Sequence, residues 1–180
     1  MKNIKLIIGA VALLVIIILA SVMYNDLTGS YVPENIQGGE ELQRAEFSVA
    51  DESGKKISFS EFSGKPSVIN LWATWCPYCI EELPDFQNAF DKYKDKVNFL
   101  MVNATDGREE TVEKASAFIK EGGYTFPVYY DVYSEAAITF GASSLPMTFF
   151  TDSQGNIITY ARGKINGEAL EKGIQLILEK

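Results

Sequence analysis

The sequence predicts an α/β domain, a mixed central sheet with helices on both faces, preceded by one transmembrane helix. Three observations lead there. Short β-branched and aromatic runs alternate with stretches whose apolar residues recur every three or four positions. The chain closes on a hairpin pattern followed by a helix, so part of the sheet is antiparallel. Finally, the only two cysteines, Cys76 and Cys79, stand where one such run meets one such helix.

Lys2 and Lys5 precede an uncharged apolar run over residues 6–23, close to the roughly 20 residues that span a bilayer. Asp26 and Glu34 follow, so the positive-inside rule places the N-terminus in the cytoplasm and the remainder outside the cell membrane. A cleaved signal peptide is the rival. It would have a shorter apolar core, and no small-x-small site is clear near Leu19-Ala20-Ser21. No cysteine follows the run to carry a lipid. The expected organisation is a membrane anchor over 1–23, a tether over 24–43 and one domain over 44–180. Gly29, Pro33, Gly38 and Gly39 interrupt any periodicity in the tether. The domain is long enough to bury a real core.

Two short strands are expected at 45–49 and 56–59, joined by a turn at Asp51-Glu52-Ser53-Gly54. Residues 60–66 lead into the run Val68-Ile69-Asn70-Leu71-Trp72, a buried strand, with Trp72 in the core. The helix after the cysteines carries Leu83, Phe86, Phe90 and Tyr93 on one stripe. A strand at 97–103 follows, then a helix from about 109 to 120 stopped by Gly122-Gly123. A strand is expected at 124–130 and a short helix at 134–140. Strands at 147–151 and 157–161 flank the turn 152–156, and a helix from about 168 buries Leu170, Ile174, Ile177 and Leu178.

The strand therefore delivers Cys76 to the first turn of a helix. Unpaired N–H groups and the positive end of the dipole there favour a thiolate. Cys76, upstream and more exposed, is the expected nucleophile; Cys79, one turn on, would resolve the mixed disulfide. A zinc site needs about four N or S ligands, and the chain has two cysteines and no histidine; no metal is expected. As a structural staple the pair would close a very short loop, worth only about 2 kcal/mol. Redox chemistry is what this spacing suits.

The segment Trp72-Ala73-Thr74-Trp75-Cys76-Pro77-Tyr78-Cys79-Ile80-Glu81-Glu82-Leu83-Pro84 resembles the active-site stretch of TlpA/ResA-type membrane-anchored thioredoxin-like thiol–disulfide oxidoreductases. The resemblance covers roughly residues 45–178 and implies a thioredoxin fold with an N-terminal β-hairpin and a central strand-helix insertion. One departure is that proline follows the first cysteine, as in glutaredoxins, rather than preceding the second. Glutaredoxin potentials lie near −200 to −230 mV against about −270 mV for thioredoxin. The resemblance also implies a cis bond before Pro146 that faces the disulfide, and substrate contact by Leu145, where the family commonly has Thr or Ser. It makes Glu82 a functional residue. On helical geometry Glu82 lies beside the apolar stripe, one turn from Cys79, where desolvation would raise its pKa and let it exchange a proton with Cys79. The plainer reading is a surface glutamate with its stem along the helix. Trp75, Pro77 and Tyr78, beside the cysteines, are expected to meet the substrate.

The net charge is −8, from 16 basic and 24 acidic side chains, and no basic patch stands out, so nucleic acid is an unsuited partner. The expected protein is an extracytoplasmic thiol–disulfide oxidoreductase without a cofactor. It would reduce envelope or secreted disulfides, cytochrome c maturation being one setting, and a membrane electron donor would re-reduce it. Two alternatives are a disulfide-forming oxidase and a thioredoxin-fold binding module without turnover. A peroxidase is disfavoured because no Thr-x-x-Cys motif occurs.

Overall fold

The computed structural model describes residues 13–20, 34–35 and 44–180. The chain divides into two units, Met1–Tyr31 and Val32–Lys180. In the first, residues 13–20 are helical with exposed side chains. Among the described residues no helix is long and apolar enough to cross a membrane. The remainder of the expected span at 6–23 lies outside the described residues, as does most of the 24–43 stretch.

The second unit is built on an eight-stranded sheet in the order β1-β8-β7-β4-β5-β6-β2-β3. Its strands are β1 (Glu34–Asn35), β2 (Ser48–Ala50), β3 (Lys56–Ser58), β4 (Ser67–Trp72), β5 (Asn98–Asn103), β6 (Val128–Tyr130), β7 (Met147–Thr151) and β8 (Ile157–Arg162). The helices are α1 (Pro77–Tyr93), α2 (Val112–Glu121), α3 (Glu135–Thr139) and α4 (Gly167–Leu178). β4, β5 and β6 run parallel; β7 is antiparallel to β4, and β8 to β7. β2 and β3 form the expected hairpin, joined to the sheet by the Ala50–Tyr130 pairing. This is the thioredoxin-like α/β arrangement.

Every residue of β4 is buried, so both sheet faces must be covered. Val68 and Trp72 face a core shared with Leu83 and Phe86 of α1, Ala115 and Ile119 of α2, and Leu170, Ile174 and Ile177 of α4. Ile69 and Leu71 face the other core, with Phe47, Phe59, Ala136 of α3, Phe140 and Phe149. Because side chains alternate with period two, this register also sends Asn70 to the α1 face. Leu178 is half-buried rather than in the core.

Four local departures have physical causes. Residues 45–47 are not strand; Phe47 O instead accepts from Phe59 N, which opens a 3₁₀ turn over Phe59–Phe62 capped reciprocally by Ser58 and Glu61. The second helix begins at Val112 rather than near 109. Asp106 Oδ1 gathers the N–H groups of Arg108, Glu109 and Glu110 into a turn, and Thr111 caps the helix. β6 starts only at Val128. Before it, Tyr124 N bonds Ile119 O and Thr125 N bonds the Gln87 side chain, which takes those donors off the ladder. Within the stretch read as a tether, Glu34 and Asn35 pair with Tyr160 and Thr159 as an edge strand.

Candidate active site

β4 ends at Trp72, and the segment Ala73-Thr74-Trp75 turns the chain into α1. Cys76 is the N-cap of α1, in extended backbone geometry, with Pro77 at the first helical position where its missing N–H is no loss. Cys76 and Cys79 form a disulfide with a Cα–Cα separation of 5.3 Å. Cys79 N donates to Cys76 Sγ at 3.2 Å. Once the bond is reduced, that donor and the helix N-terminus favour negative charge on this sulfur. Cys76 keeps 4% of its surface exposed and Cys79 none, so only the first sulfur offers an approach.

Trp75 and Tyr78 stand out on either side of the disulfide, 56% and 63% exposed, whereas Trp72 is wholly buried. The Leu145–Pro146 bond is cis. Leu71 pairs with Met147 across β4 and β7, which brings Pro146 level with the end of the strand that delivers Cys76. Pro146 O accepts from Gly163 N at 2.9 Å, and Leu145 is half-buried against both cores. The structure thus gathers Trp75, Cys76, Pro77, Tyr78 and Pro146 at one end of the sheet.

Glu82 is more deeply placed than the edge-of-stripe geometry suggests: it has no exposed surface. Its Oε1 accepts from Asn70 Nδ2 at 2.8 Å and its Oε2 from Ile165 N at 3.0 Å. Burial pushes its pKa up to about 8, against the pull of those two hydrogen bonds and of the Lys164 charge. Asp85 adds a small push in the same direction as burial. Glu81, by contrast, is exposed and pairs with Lys164 at 2.7 Å.

Two features escape a reading of the sequence alone. Asn70 and Thr148 meet under Glu82 from neighbouring strands. The only signal for Asn70 is a polar residue in an otherwise apolar run. Glu110 is fully buried and holds the approach to the cysteines. Its carboxylate accepts from Thr74 N at 2.8 Å, Thr74 Oγ1 at 2.6 Å and Asn103 Nδ2 at 2.6 Å. In the sequence Glu110 sits in Arg108-Glu109-Glu110, which reads as a solvated charge cluster. Among the described residues no group of three or more metal-ligating side chains comes together.

Residues 42–160 match the AhpC/TSA family. "Thiol-disulfide oxidoreductase ResA" of Bacillus thuringiensis subsp. konkukian is 35% identical over 132 residues, 73% of this chain and 74% of that protein. "Thioredoxin-like protein YneN" of Bacillus subtilis is 29% identical over 151 residues, 84% of this chain and 88% of that one. The crystal structure of StoA from Bacillus subtilis superposes with a TM-score of 0.63 at 27% identity, covering 74% of this chain and 99% of that one.

Proposed function

We propose, for a chain that belongs to the AhpC/TSA family and is a protein thiol–disulfide oxidoreductase, that it reduces disulfides of proteins outside the cytoplasmic membrane while anchored there by its N-terminal segment. The observation that carries this reading is a fully buried Glu82 one helical turn beyond Cys79, its pKa pushed up to about 8 by burial. A carboxyl raised this far above the ordinary carboxyl range can serve as a proton partner for Cys79.

The cycle then balances. Cys76 thiolate attacks one sulfur of the partner's disulfide, and the displaced partner thiolate takes a proton from solvent. Glu82 carboxylate accepts the proton of Cys79, whose sulfur attacks Cys76 Sγ and releases the second partner sulfur as a thiolate, which takes its proton from solvent. Two electrons have passed to the partner, and Cys76 and Cys79 are again joined. When a dithiol donor re-reduces the pair, Cys79 leaves as a thiolate and recovers the proton that Glu82 held. Trp75 and Tyr78 offer apolar docking area, and Leu145, preceding the cis bond, offers backbone groups to an extended substrate. Pro77 sets the potential towards the milder, glutaredoxin-like range, a shift of roughly 50 mV, or about 2.3 kcal/mol for two electrons. That weakens the protein as a reductant without making it an oxidant. Substrates in cytochrome c maturation fit this chemistry, as do other oxidised envelope proteins.

Acid quenching of growing cells, followed by alkylation with a mass-tagging maleimide, tests the direction. The reductase reading expects Cys76 and Cys79 mostly as free thiols. Mostly oxidised protein, together with secreted proteins losing disulfides when the gene is deleted, reverses it to an oxidase.

A further inference from the structure

Asn70 lies in the middle of β4 with no exposed surface. Its Nδ2 donates both to Glu82 Oε1 at 2.8 Å and to Thr148 Oγ1 at 3.1 Å, while its Oδ1 has no hydrogen-bond partner. A buried amide oxygen left unpaired costs roughly 1–3 kcal/mol, so this orientation suits one state of its neighbours and not every state. It suits a carboxylate, whose Oε1 only accepts. The other oxygen, Oε2, is held by the N–H of Ile165 at 3.0 Å, a backbone donor that cannot turn into an acceptor. A proton arriving on Glu82 therefore belongs on Oε1, where it would face the N–H of Asn70, donor against donor.

A half-turn of the Asn70 amide removes that conflict and moves the Nδ2 hydrogens to the place where Oδ1 has no partner. It presents Oδ1 to the new Glu82 hydroxyl. The Thr148 hydroxyl, which can donate as readily as it accepts, then turns its hydrogen to the same Oδ1. The other charged or titratable groups near Glu82 cannot do this. Lys164, on the segment after β8, is a donor only and is paired with Glu81; Asp85, on α1, supplies a like charge; Cys79 is tied up in the disulfide.

We propose that Asn70 is a positioning residue whose side-chain amide turns over with the protonation of Glu82, Thr148 following, so that the buried carboxyl keeps a hydrogen-bond partner with and without its proton. This rests on reading Glu82 as the proton partner of Cys79, and it adds the device that lets a buried acid change state without being stranded. It also accounts for a polar residue at a β4 position whose same-face neighbours, Val68 and Trp72, are apolar.

The test is a nuclear magnetic resonance titration of the oxidised, isotope-labelled wild-type protein, taken from well below to well above about 8. The Asn70 side-chain amide signals should move with the midpoint of the Glu82 carboxyl carbon, and the cross-peaks from the amide protons to Thr148 should weaken as Glu82 gains its proton. Asn70→Leu should raise the Glu82 midpoint by about one pH unit, a tenfold gain in proton affinity, because a hydrogen bond to a carboxylate is roughly twice as strong as one to the neutral acid. Asn70 signals that stay constant through the Glu82 titration overturn the proposal, as does an unchanged midpoint in the variant or a Glu82 that does not titrate. Should Asn70→Leu fail to fold, the wild-type titration still decides. Because these signals report the Glu82 proton and not thiol exchange, failure of the reductase reading would show separately, in the cellular thiol state.

Discussion

Glu82 meets two groups of different kinds, a backbone N–H and a side-chain amide, and stands one helical turn after the second cysteine in α1. Glu82→Gln keeps the shape and removes the titrating group. Resolution of the mixed disulfide at neutral pH should slow by about 10²-fold, the usual size of one general acid–base contribution. The deficit should shrink as pH rises past the ordinary thiol value near 8.5. Glu81→Gln, which alters only an exposed pair with Lys164, should leave the curve in place. Stopped-flow exchange across pH measures both variants, and superimposed profiles would return Glu82 to a purely structural part. The two sulfurs differ in the same residue-level way. Cys79→Ser blocks the second step and should accumulate mixed disulfides on a non-reducing gel, whereas Cys76→Ser should trap almost none; equal trapping would mean that both thiols are equally available.

At the scale of elements, the strand-to-helix junction is held by a side chain from beyond β5. Glu110 accepts three hydrogen bonds, two of them from Thr74, two residues before Cys76. Glu110→Ala leaves the buried Asn103 amide and the half-buried Thr74 donors unpaired, at a cost of roughly 2–4 kcal/mol, and frees the junction. Thermal unfolding should show the loss, and faster alkylation of Cys76 in the reduced protein should accompany it. Elsewhere α4 lies so close to β7 that a Cβ on Gly173 would come within 2.3 Å of the Phe150 ring. A buried ring in the main core cannot step aside, so Gly173→Ala should destabilise by about 1–3 kcal/mol without altering the pH dependence of exchange. A wild-type unfolding midpoint for that variant would mean that α4 can shift outward.

For the whole molecule the pH dependence of stability follows from which groups gain or lose protons on folding. Glu82 is raised from 4.5 to about 8, so the folded protein binds a proton that the unfolded chain releases. The stabilisation is fully present below about 4.5 and is lost as pH rises through about 8, a change of at most about 5 kcal/mol. Carboxyls held below their usual range act the other way. Asp106, which accepts from the N–H groups of Glu110 and Arg108, contributes stability that is lost as pH falls. Urea midpoints of the oxidised protein should therefore decline from mildly acidic to mildly alkaline pH, and Glu82→Gln should flatten that decline. Parallel curves for the two proteins would show that Glu82 keeps an ordinary pKa.

What the sequence determined by itself is what short-range patterns encode. The strand, the Cys76-Pro77-Tyr78-Cys79 junction and the helix stripe are written in consecutive residues, and period-two and helical spacing places them without knowledge of the rest. The exposure of Trp75 and Tyr78 beside a buried Trp72 follows from the same local geometry. Helix starts were less legible, because side-chain hydrogen bonds decide between turn and helix: Asp106 Oδ1 takes the N–H groups of Arg108, Glu109 and Glu110, and Thr111 Oγ1 takes that of Lys114. Tertiary structure alone decided the surroundings of the chemistry. Helical geometry brings Glu82 to the edge of the buried face; it is fully buried, and one of its carboxyl oxygens is held by the N–H of Ile165, 83 residues away in the chain. Asn70 and Thr148 are 78 residues apart and Thr74 and Glu110 are 36 apart, and no local pattern links either pair. A buried polar group needs its partner supplied in three dimensions, and where that partner comes from is settled by how the strands pair and which segment covers them.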